Sequence, residues 1–205
     1  MKKLLKLLNH NHLWAQTVKV SNPDFFKNQA EVQNPEYLWI GCIDSRVPPD
    51  QILNMPPGNI LVHRNIANLI KTDDPNCMSV VQFAIVELKV KHIIICGHSD
   101  CGGIKAAVEN NQDGSLGQWL LPVRNFLKTY GDKLESLSIA NVEKQVQNLC
   151  ESTIVQDAWK NGQELEIHGW FYHVGEGRIM DLNMDIDSFS SYDDLFYGME
   201  KQNFG

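Results

Sequence analysis

The stretch "HIIICGHSDCGGIKAAVEN", residues 92–110, carries the signals of a strand, a turn and a helix in immediate succession. Residues 92–98 form an apolar run that is too short and too rich in isoleucine for a helix, so they predict a buried strand. A helix is predicted to begin at Cys101, in the segment "CGGIKAAVEN". A strand followed at once by a helix is the building unit of α/β proteins.

The same alternation extends over most of the chain. Further elements are predicted as strands at 37–46 and 59–65, a helix at 76–90, helices within 114–131 and 141–162, and a late strand pair at 165–174 and 178–185. This order predicts an α/β fold with a mainly parallel central sheet of order 2-1-3-4, a late edge strand and flanking helices. The length fits one domain, residues 1–205, with an N-terminal helical arm at 1–33 and a C-terminal helix within 186–205.

The composition argues against several classes of protein. The formal net charge is −7, whereas general phosphate-backbone binders depend on Lys and Arg, so no nucleic-acid partner is expected. No apolar run approaches the roughly 20 residues that a membrane span needs, so no membrane partner is expected either. The five cysteines are odd in number and irregularly spaced, which favours reduced thiols and a cytoplasmic location over a disulfide framework.

Three side chains suited to zinc are predicted to meet at the carboxyl edge of the sheet. Cys42 lies at the end of the first strand, while His98 and Cys101 follow the third, and in a 2-1-3-4 order these strands are neighbours. A single cysteine is most simply a small buried hydrophobe. Two thiolates and one imidazole, however, form a known catalytic zinc set that leaves a fourth position open.

A redox pair is the main alternative for the sulfurs in this region. Cys96 and Cys101 are separated by four residues and form no C-x-x-C motif, and Cys96 belongs to the strand. Cys77 and Cys150 fall within helical patterns and are assigned to packing. The other histidines show no spacing that marks a proton shuttle, so surface or packing roles are predicted for His10, His12, His63, His92, His168 and His173.

Two features beside the ligand set are predicted to contribute to chemistry. Asp44 and Arg46 point the same way if the strand continues, and an arginine clamp would keep the carboxylate ionised beside a metal. A solvated ion pair worth about 0–1 kcal/mol is the plainer interpretation. The Gly102 and Gly103 amides are among the first donors of the helix and favour a thiolate or an anionic product; close packing is the compatible alternative.

The combination of C-x-D-S-R with H-x-x-C resembles the β-class carbonic anhydrases, and longer segments carry the same resemblance: "YLWIGCIDSRVPP", "PPGNILVHRNIAN", "HSDCGG" and "LEIHGWFYHVGEG". It implies one zinc per chain on Cys42, His98 and Cys101. It also implies that Asp44 and Arg46 form a catalytic dyad. The implied reaction is reversible hydration of carbon dioxide to bicarbonate and a proton by zinc-bound hydroxide. The implied assembly is a homodimer, often paired into a tetramer, with the N-terminal helix across the partner.

The chain further resembles the bicarbonate-regulated subgroup of that family. In the subgroup a Trp, an Arg and a Tyr bind a non-catalytic bicarbonate, and the matching positions are Trp39, Arg64 and Tyr172. The resemblance implies that Asp44 moves onto zinc as a fourth ligand and closes the site at lower pH. The residue patterns alone favour structural roles for the three, since nothing in them shows that the side chains meet.

Two other functions are compatible with the same residues. The first is hydrolysis of carbonyl sulfide or carbon disulfide at the same zinc site. The second is a bicarbonate-binding sensor or carboxysome-type structural subunit with little turnover. The intact set of Cys, Asp, Arg and His side chains speaks against the second.

Overall fold

The structure is a computed structural model that describes residues 2–110, 113–127, 130 and 133–198. The chain divides into two compact units, residues 1–34 and 35–205, and each is described by itself below. Whether the chain functions as one domain stays a prediction.

The N-terminal unit contains a pair of helices, α1 (Lys2–Ser21) and α2 (Phe25–Glu31). The break between them is explained by Pro23, because the residue before a proline is disfavoured in the helical conformation. The rings of Trp14 and Phe26 meet edge to face with their centroids 5.5 Å apart. The predicted N-terminal helical arm is confirmed.

The second unit is built on a five-stranded sheet of order β2-β1-β3-β4-β5. Its strands are β1 (Tyr37–Cys42), β2 (Ile60–Asn65), β3 (His92–His98), β4 (Glu166–His173) and β5 (Arg178–Ile186). The first four run parallel, and β5 returns antiparallel to β4. The predicted order and the late edge strand are confirmed, and the sheet is mixed but mostly parallel.

Helices connect and cover these strands. They are α3 (Pro49–Ile52), α4 (Pro75–Gln82), α5 (Gly102–Glu109), α6 (Gly114–Trp119), α7 (Leu121–Leu127), α8 (Leu134–Cys150), α9 (Thr153–Lys160) and α10 (Phe189–Phe196). Residues 199–205 of the predicted C-terminal helix lie outside the described residues. In the part of the chain that the structure describes, no helix combines the length and the apolar character that crossing a membrane requires.

Several predicted helices are divided in the structure. The predicted helix at 76–90 consists of α4 followed by a π-helical turn at Phe83–Glu87. Pro122 interrupts the continuity between α6 and α7, because it lacks the N–H that would donate to the preceding turn. Ser152 separates α8 from α9, and its hydroxyl accepts a hydrogen bond from the Val155 N–H at 3.4 Å.

The largest part of the core lies against one face of the sheet. Side chains alternate along a strand, so Leu38 and Ile40 of β1 point the same way as Ile93 and Ile95 of β3, and all four are fully buried. Helix α8 packs on this face. Burying a side chain of this size is worth about 1.5–3 kcal/mol. The packing therefore holds the strands, and with them their carboxyl ends, in fixed register.

The cysteines assigned to packing are buried in this core or on the opposite face. Cys77 and Cys150 lie in the larger cluster, and Cys96 lies within β3 on the other face beside Trp39. Burial raises the pKa of Cys77 to about 11 and that of Cys150 to about 12. These two side chains are therefore neutral thiols at physiological pH.

Gly97→Ala is expected to lower the free energy of unfolding by about 1–3 kcal/mol, because the site has no room for a methyl group. An added Cβ would lie 2.5 Å from Cγ2 of Val142 on α8. The matched control is Gly175→Ala, whose Cβ would meet no described atom within 4 Å. Urea denaturation of both variants and the parent, at one protein concentration, measures the difference. An equal loss in the two variants would contradict the close approach of α8 to β3.

Candidate metal centre

The carboxyl edge of the sheet brings Cys42, His98 and Cys101 together. Cys42 is the last residue of β1 and His98 is the last residue of β3, and these two strands pair in parallel. Cys101 occupies the capping position before α5. One ligand atom from each residue lies within 4.8 Å of the other two, and the two Sγ atoms are 3.9 Å apart. All three side chains are buried.

One ring nitrogen of His98 is held by the backbone, which leaves the other for a ligand. Nδ1 lies 2.8 Å from the carbonyl oxygen of Ser99, and because that oxygen can only accept, the proton is assigned to Nδ1. Nε2 then presents its lone pair, and this buried atom has no hydrogen-bond partner among the described residues. Leaving a buried polar atom unpaired is costly, and an ion at this point would remove the cost.

The donor set fits zinc both in chemistry and in spacing. Two sulfurs bound to one tetrahedral zinc at about 2.3 Å lie about 3.8 Å apart, close to the 3.9 Å between Sγ of Cys42 and Sγ of Cys101. Thiolate sulfur and neutral imidazole nitrogen are preferred zinc ligands, and three of them leave one position open. The side chains present therefore fit the ion that the sequence predicts.

The two thiols titrate as a pair. A hydrogen bond from Cys101 stabilises the Cys42 thiolate and lowers the pKa of Cys42 to about 4. The same hydrogen bond raises the pKa of Cys101 above its usual range, although the backbone N–H groups of Ile104 and Gly103 act in the opposite direction. A divalent cation would offset the repulsion between two thiolates, so the arrangement favours binding one.

Asp44 and Arg46 form a bidentate ion pair next to the ligands. Nε and Nη2 of Arg46 lie 2.9 and 2.8 Å from Oδ1 and Oδ2 of Asp44, and the Arg46 backbone N–H also donates to Oδ1. These hydrogen bonds hold the pKa of Asp44 well below its usual range. Oδ2 lies 3.9 Å from Nε2 of His98, so the carboxylate borders the position that a metal would take.

A pocket of about 260 Å³ opens beside the ligands, and its lining is mainly apolar: Ile43, Ile66, Ala106 and Leu116 with Cys42, Asp44, Gly102 and Gly103. Gly103 is needed for close packing, because an added Cβ would lie 2.8 Å from Cγ2 of Ile66. An added Cβ on Gly102 would meet nothing within 4 Å in the described part of the chain. Gly103 therefore allows close packing, and its backbone N–H stabilises the Cys101 thiolate. At Gly102 the lack of a side chain leaves the backbone exposed to the pocket.

The three residues matched to a bicarbonate site lie on one face of the sheet. The strand register places Arg64 beside Gly41 of β1, two residues after Trp39, and places Tyr172 beside His98. Trp39 and Tyr172 belong to the same buried cluster. The buried Nε1 of Trp39 has no hydrogen-bond partner within the residues that the structure describes. The structure therefore brings onto one face three side chains that the sequence could not place together.

Four hydrogen bonds made by Arg64 and Ser99 support the site and were missed by the sequence analysis. Arg64 Nε donates to the carbonyl oxygen of Cys42 at 2.8 Å, and its Nη2 donates to that of Asp44. The Ser99 carbonyl orients His98, and the Ser99 hydroxyl accepts from the Val174 N–H at 3.0 Å. None of the three carbonyl contacts has a sequence signal, because a backbone oxygen is present at every position.

The fold and the site together define an α/β protein with a Cys-His-Cys centre at the carboxyl edge of a mostly parallel sheet. The family model described as carbonic anhydrase matches residues 37–179. A carbonic anhydrase of Emericella nidulans is 34% identical over 206 residues, covering 96% of this chain and 90% of that protein. The chain belongs to the carbonic anhydrase family.

Solved structures place the chain beside the β class. The β-carbonic anhydrase of Coccomyxa, solved in complex with acetazolamide, is 36% identical with a TM-score of 0.88, covering 98% of this chain and 97% of that one. A tetrameric β-carbonic anhydrase from Sordaria macrospora is 38% identical with a TM-score of 0.83, covering 91% and 100% respectively. The predicted β-class resemblance and the predicted enzyme class, carbonate dehydratase, are confirmed.

Proposed function

We propose that this protein catalyses the reversible hydration of carbon dioxide to bicarbonate and a proton, with one zinc ion held by Cys42, His98 and Cys101. The observation that carries the proposal is the convergence of these buried ligand atoms beside an Asp–Arg pair, in a chain of the carbonic anhydrase family. Zinc bound there supplies a Lewis acid that lowers the pKa of water and so provides a nucleophile.

The side chains around the centre bind and orient the reactants. Arg46 holds the Asp44 carboxylate in place, so that this carboxylate can accept a hydrogen bond from the attacking water and fix its direction. The apolar lining of the pocket, which includes Ile43 and Ile66, suits uncharged carbon dioxide. The open backbone at Gly102, on the first turn of α5, offers a donor to the anionic product.

Asp44 is also proposed to act as a switch. In the open arrangement the carboxylate pairs with Arg46, which is the arrangement in this structure, and in the closed arrangement it takes the fourth ligand position. Its Oδ2 is 3.9 Å from Nε2 of His98, so the movement required is short. On opening, a water molecule would take the ligand position that Asp44 leaves and would give up a proton to solvent. Rising pH therefore favours the open arrangement.

Trp39, Arg64 and Tyr172 are proposed to bind a non-catalytic bicarbonate that favours closure. The unpaired Nε1 donor of Trp39, noted above for the described residues, would be satisfied by an anion. Arg64 donates to the Asp44 carbonyl, so an anion that drew the guanidinium away would loosen the segment that carries the switch. Arg64 thus offers a physical connection between the anion site and Asp44.

Stopped-flow carbon dioxide hydration is expected to rise between about pH 7 and about pH 9, because two thiolates leave the centre less electrophilic than three imidazoles do. Added bicarbonate is expected to inhibit, most strongly at the lower pH. Tyr172→Phe should weaken that inhibition about fivefold or more, because it removes the phenolic hydroxyl that would donate to the bicarbonate. The control is Tyr130→Phe, which alters an exposed ring and should leave the inhibition unchanged. A flat pH profile, or a bicarbonate response unchanged in Tyr172→Phe, would count against the switch.

The same assay separates the competing functions. Carbonyl sulfide and carbon disulfide are tested in parallel, and faster turnover of either would make the protein a hydrolase of that substrate. Bound zinc without carbon dioxide hydration, even at the alkaline end of the profile, would favour a bicarbonate-binding subunit with little turnover.

Assembly and location are part of the proposal. Self-association into a homodimer, and pairing of dimers, is supported by the tetrameric relative from Sordaria macrospora and by the exposed leucines of α1: Leu4, Leu5, Leu7 and Leu8. A cytoplasmic location is supported by five cysteines that are all free and buried.

A further inference from the structure

A second group of metal-ligating side chains lies at the opposite edge of the sheet. His92 is the first residue of β3, and Glu166 and His168 stand at the start of β4. The register pairs His92 with Glu166, and residues two apart on a strand share a face, so the three side chains emerge on the same side. The six residue-to-residue steps from His92 to His98 span about 20 Å, which separates this cluster from the Cys-His-Cys centre.

The three ligand atoms are spaced as the ligands of one ion are. Nδ1 of His92 lies 3.1 Å from Nε2 of His168 and 3.3 Å from Oε2 of Glu166, and the latter two atoms are 3.6 Å apart. A point equidistant from three such atoms lies about 1.9 Å from each, so an ion slightly out of their plane reaches the zinc bond lengths of about 2.0–2.2 Å.

The surroundings of the cluster favour a cation. His168 Nδ1 lies 2.6 Å from Oδ1 of Asp185 on β5, so the ring donates to a carboxylate and turns its other nitrogen, with its lone pair, toward the cluster. A carboxylate behind a histidine ligand is the usual outer support of a metal site. The nearby cation Lys91 is paired with Glu164 at 2.8 Å, and the ring of Tyr37 stacks on His92 and fixes its plane.

A hydrogen-bonded relay without metal is the competing interpretation. One proton on Nδ1 of His92 would then be shared between Nε2 of His168 and the Glu166 carboxylate. These two acceptors would face each other at 3.6 Å with no proton between them, which is repulsive. A cation at the centre of the three atoms removes this repulsion while both rings stay neutral, whereas the relay removes it only by adding a second proton to His168, on Nε2.

We propose that His92, Glu166 and His168 form a second binding site for a divalent transition metal such as zinc. Two imidazole nitrogens and one carboxylate oxygen are a recognised ligand set, and the remaining positions are open to water because the side chains are partly exposed. The site is distinct from the Cys-His-Cys centre in ligand chemistry, since it contains no sulfur. The Asp185 carboxylate supports this site indirectly, by accepting a hydrogen bond from His168.

The test is a metal titration of the zinc-loaded enzyme. Calorimetry with Zn²⁺ and metal analysis after gel filtration are expected to show a second equivalent per chain. Glu166→Gln and His168→Ala should weaken this binding at least about tenfold, and Asp185→Asn about 10–100-fold, as for other outer-sphere carboxylates. The matched controls are Glu176→Gln and His10→Ala, which alter exposed residues outside the cluster and should bind like the parent.

Cobalt distinguishes the two sites in the same protein. Co²⁺ bound through thiolates gives strong near-ultraviolet charge-transfer absorption, whereas Co²⁺ at the histidine–glutamate cluster should give only weak visible bands. Those weak bands should persist in Cys42→Ala and disappear in Glu166→Gln. The proposal is overturned if the zinc-loaded enzyme binds no second equivalent at zinc concentrations up to about 1 mM, or if Glu166→Gln and His168→Ala bind like the parent. Either result leaves the proposal for carbon dioxide hydration untouched.

Discussion

Cys42→Ala is expected to retain less than about a tenth of an equivalent of zinc at the Cys-His-Cys centre and to lose about a thousandfold or more of its carbon dioxide hydration, because the two remaining ligands cannot hold the ion firmly. Cys42 contributes one of the two sulfur ligands of the set, and the hydrogen bond from Cys101 lowers its pKa and so favours its thiolate form. Metal analysis of the purified protein and stopped-flow hydration measure the two losses.

Cys77→Ala is the matched control for this variant. Cys77 is also a buried cysteine, but it lies in the core on α4, and burial raises its pKa to about 11. The control should keep its zinc and its activity, even if it loses some stability through the small cavity. An active Cys42→Ala protein without zinc would overturn the assignment of the metal centre.

Asp44→Asn is expected to keep about one zinc per chain and to lose about 100-fold in kcat/KM, because the amide cannot accept hydrogen bonds as the carboxylate does. The substitution is nearly isosteric. It also removes the negative charge that pairs with Arg46; in the parent, the hydrogen bonds from Arg46 hold the pKa of Asp44 below its usual range. Zinc analysis and stopped-flow hydration of the same preparation separate a catalytic defect from loss of metal.

The control for this variant is Asp50→Asn, which changes an exposed carboxylate on α3. It should behave as the parent in both measurements. If Asp44→Asn were fully active, the carboxylate would not orient the reactants, and the Asp44–Arg46 pair would have only a structural role. The proposed switch depends on movement of the same carboxylate, so it would be contradicted as well, and bicarbonate inhibition would need another explanation.

The strands and the convergence of Cys42, His98 and Cys101 could be predicted from the sequence because each depends on a local pattern. The run of isoleucines at 92–98 predicts a buried strand, and the carboxyl ends of neighbouring parallel strands lie at the same edge of a sheet, so the sequence alone predicts that Cys42 and His98 lie close together. The breaks in the helices were less accessible. Ser152, for example, ends one helix and caps the next, and its place within a continuous helical pattern conceals both roles.

The second cluster shows where sequence reasoning stops. Glu166 and His168 are two residues apart on a strand, which predicts a shared face, but a surface or packing role was the simpler interpretation of each histidine. His92 is 76 residues from His168, and only the register of β3 against β4 brings their ring nitrogens to 3.1 Å. Register between distant segments depends on the packing of the whole sheet.

The position of Cys42 and His98 at the ends of two paired strands has a consequence for how such a chain can change over evolutionary time. The long connection from β1 to β3 can gain or lose residues on the surface without altering the separation of Cys42 and His98, since the sheet sets that separation. Deleting one residue inside β1 would instead reverse the direction of every side chain beyond the deletion. We therefore expect length variation among relatives to concentrate in the connections and to be excluded from β1 and β3.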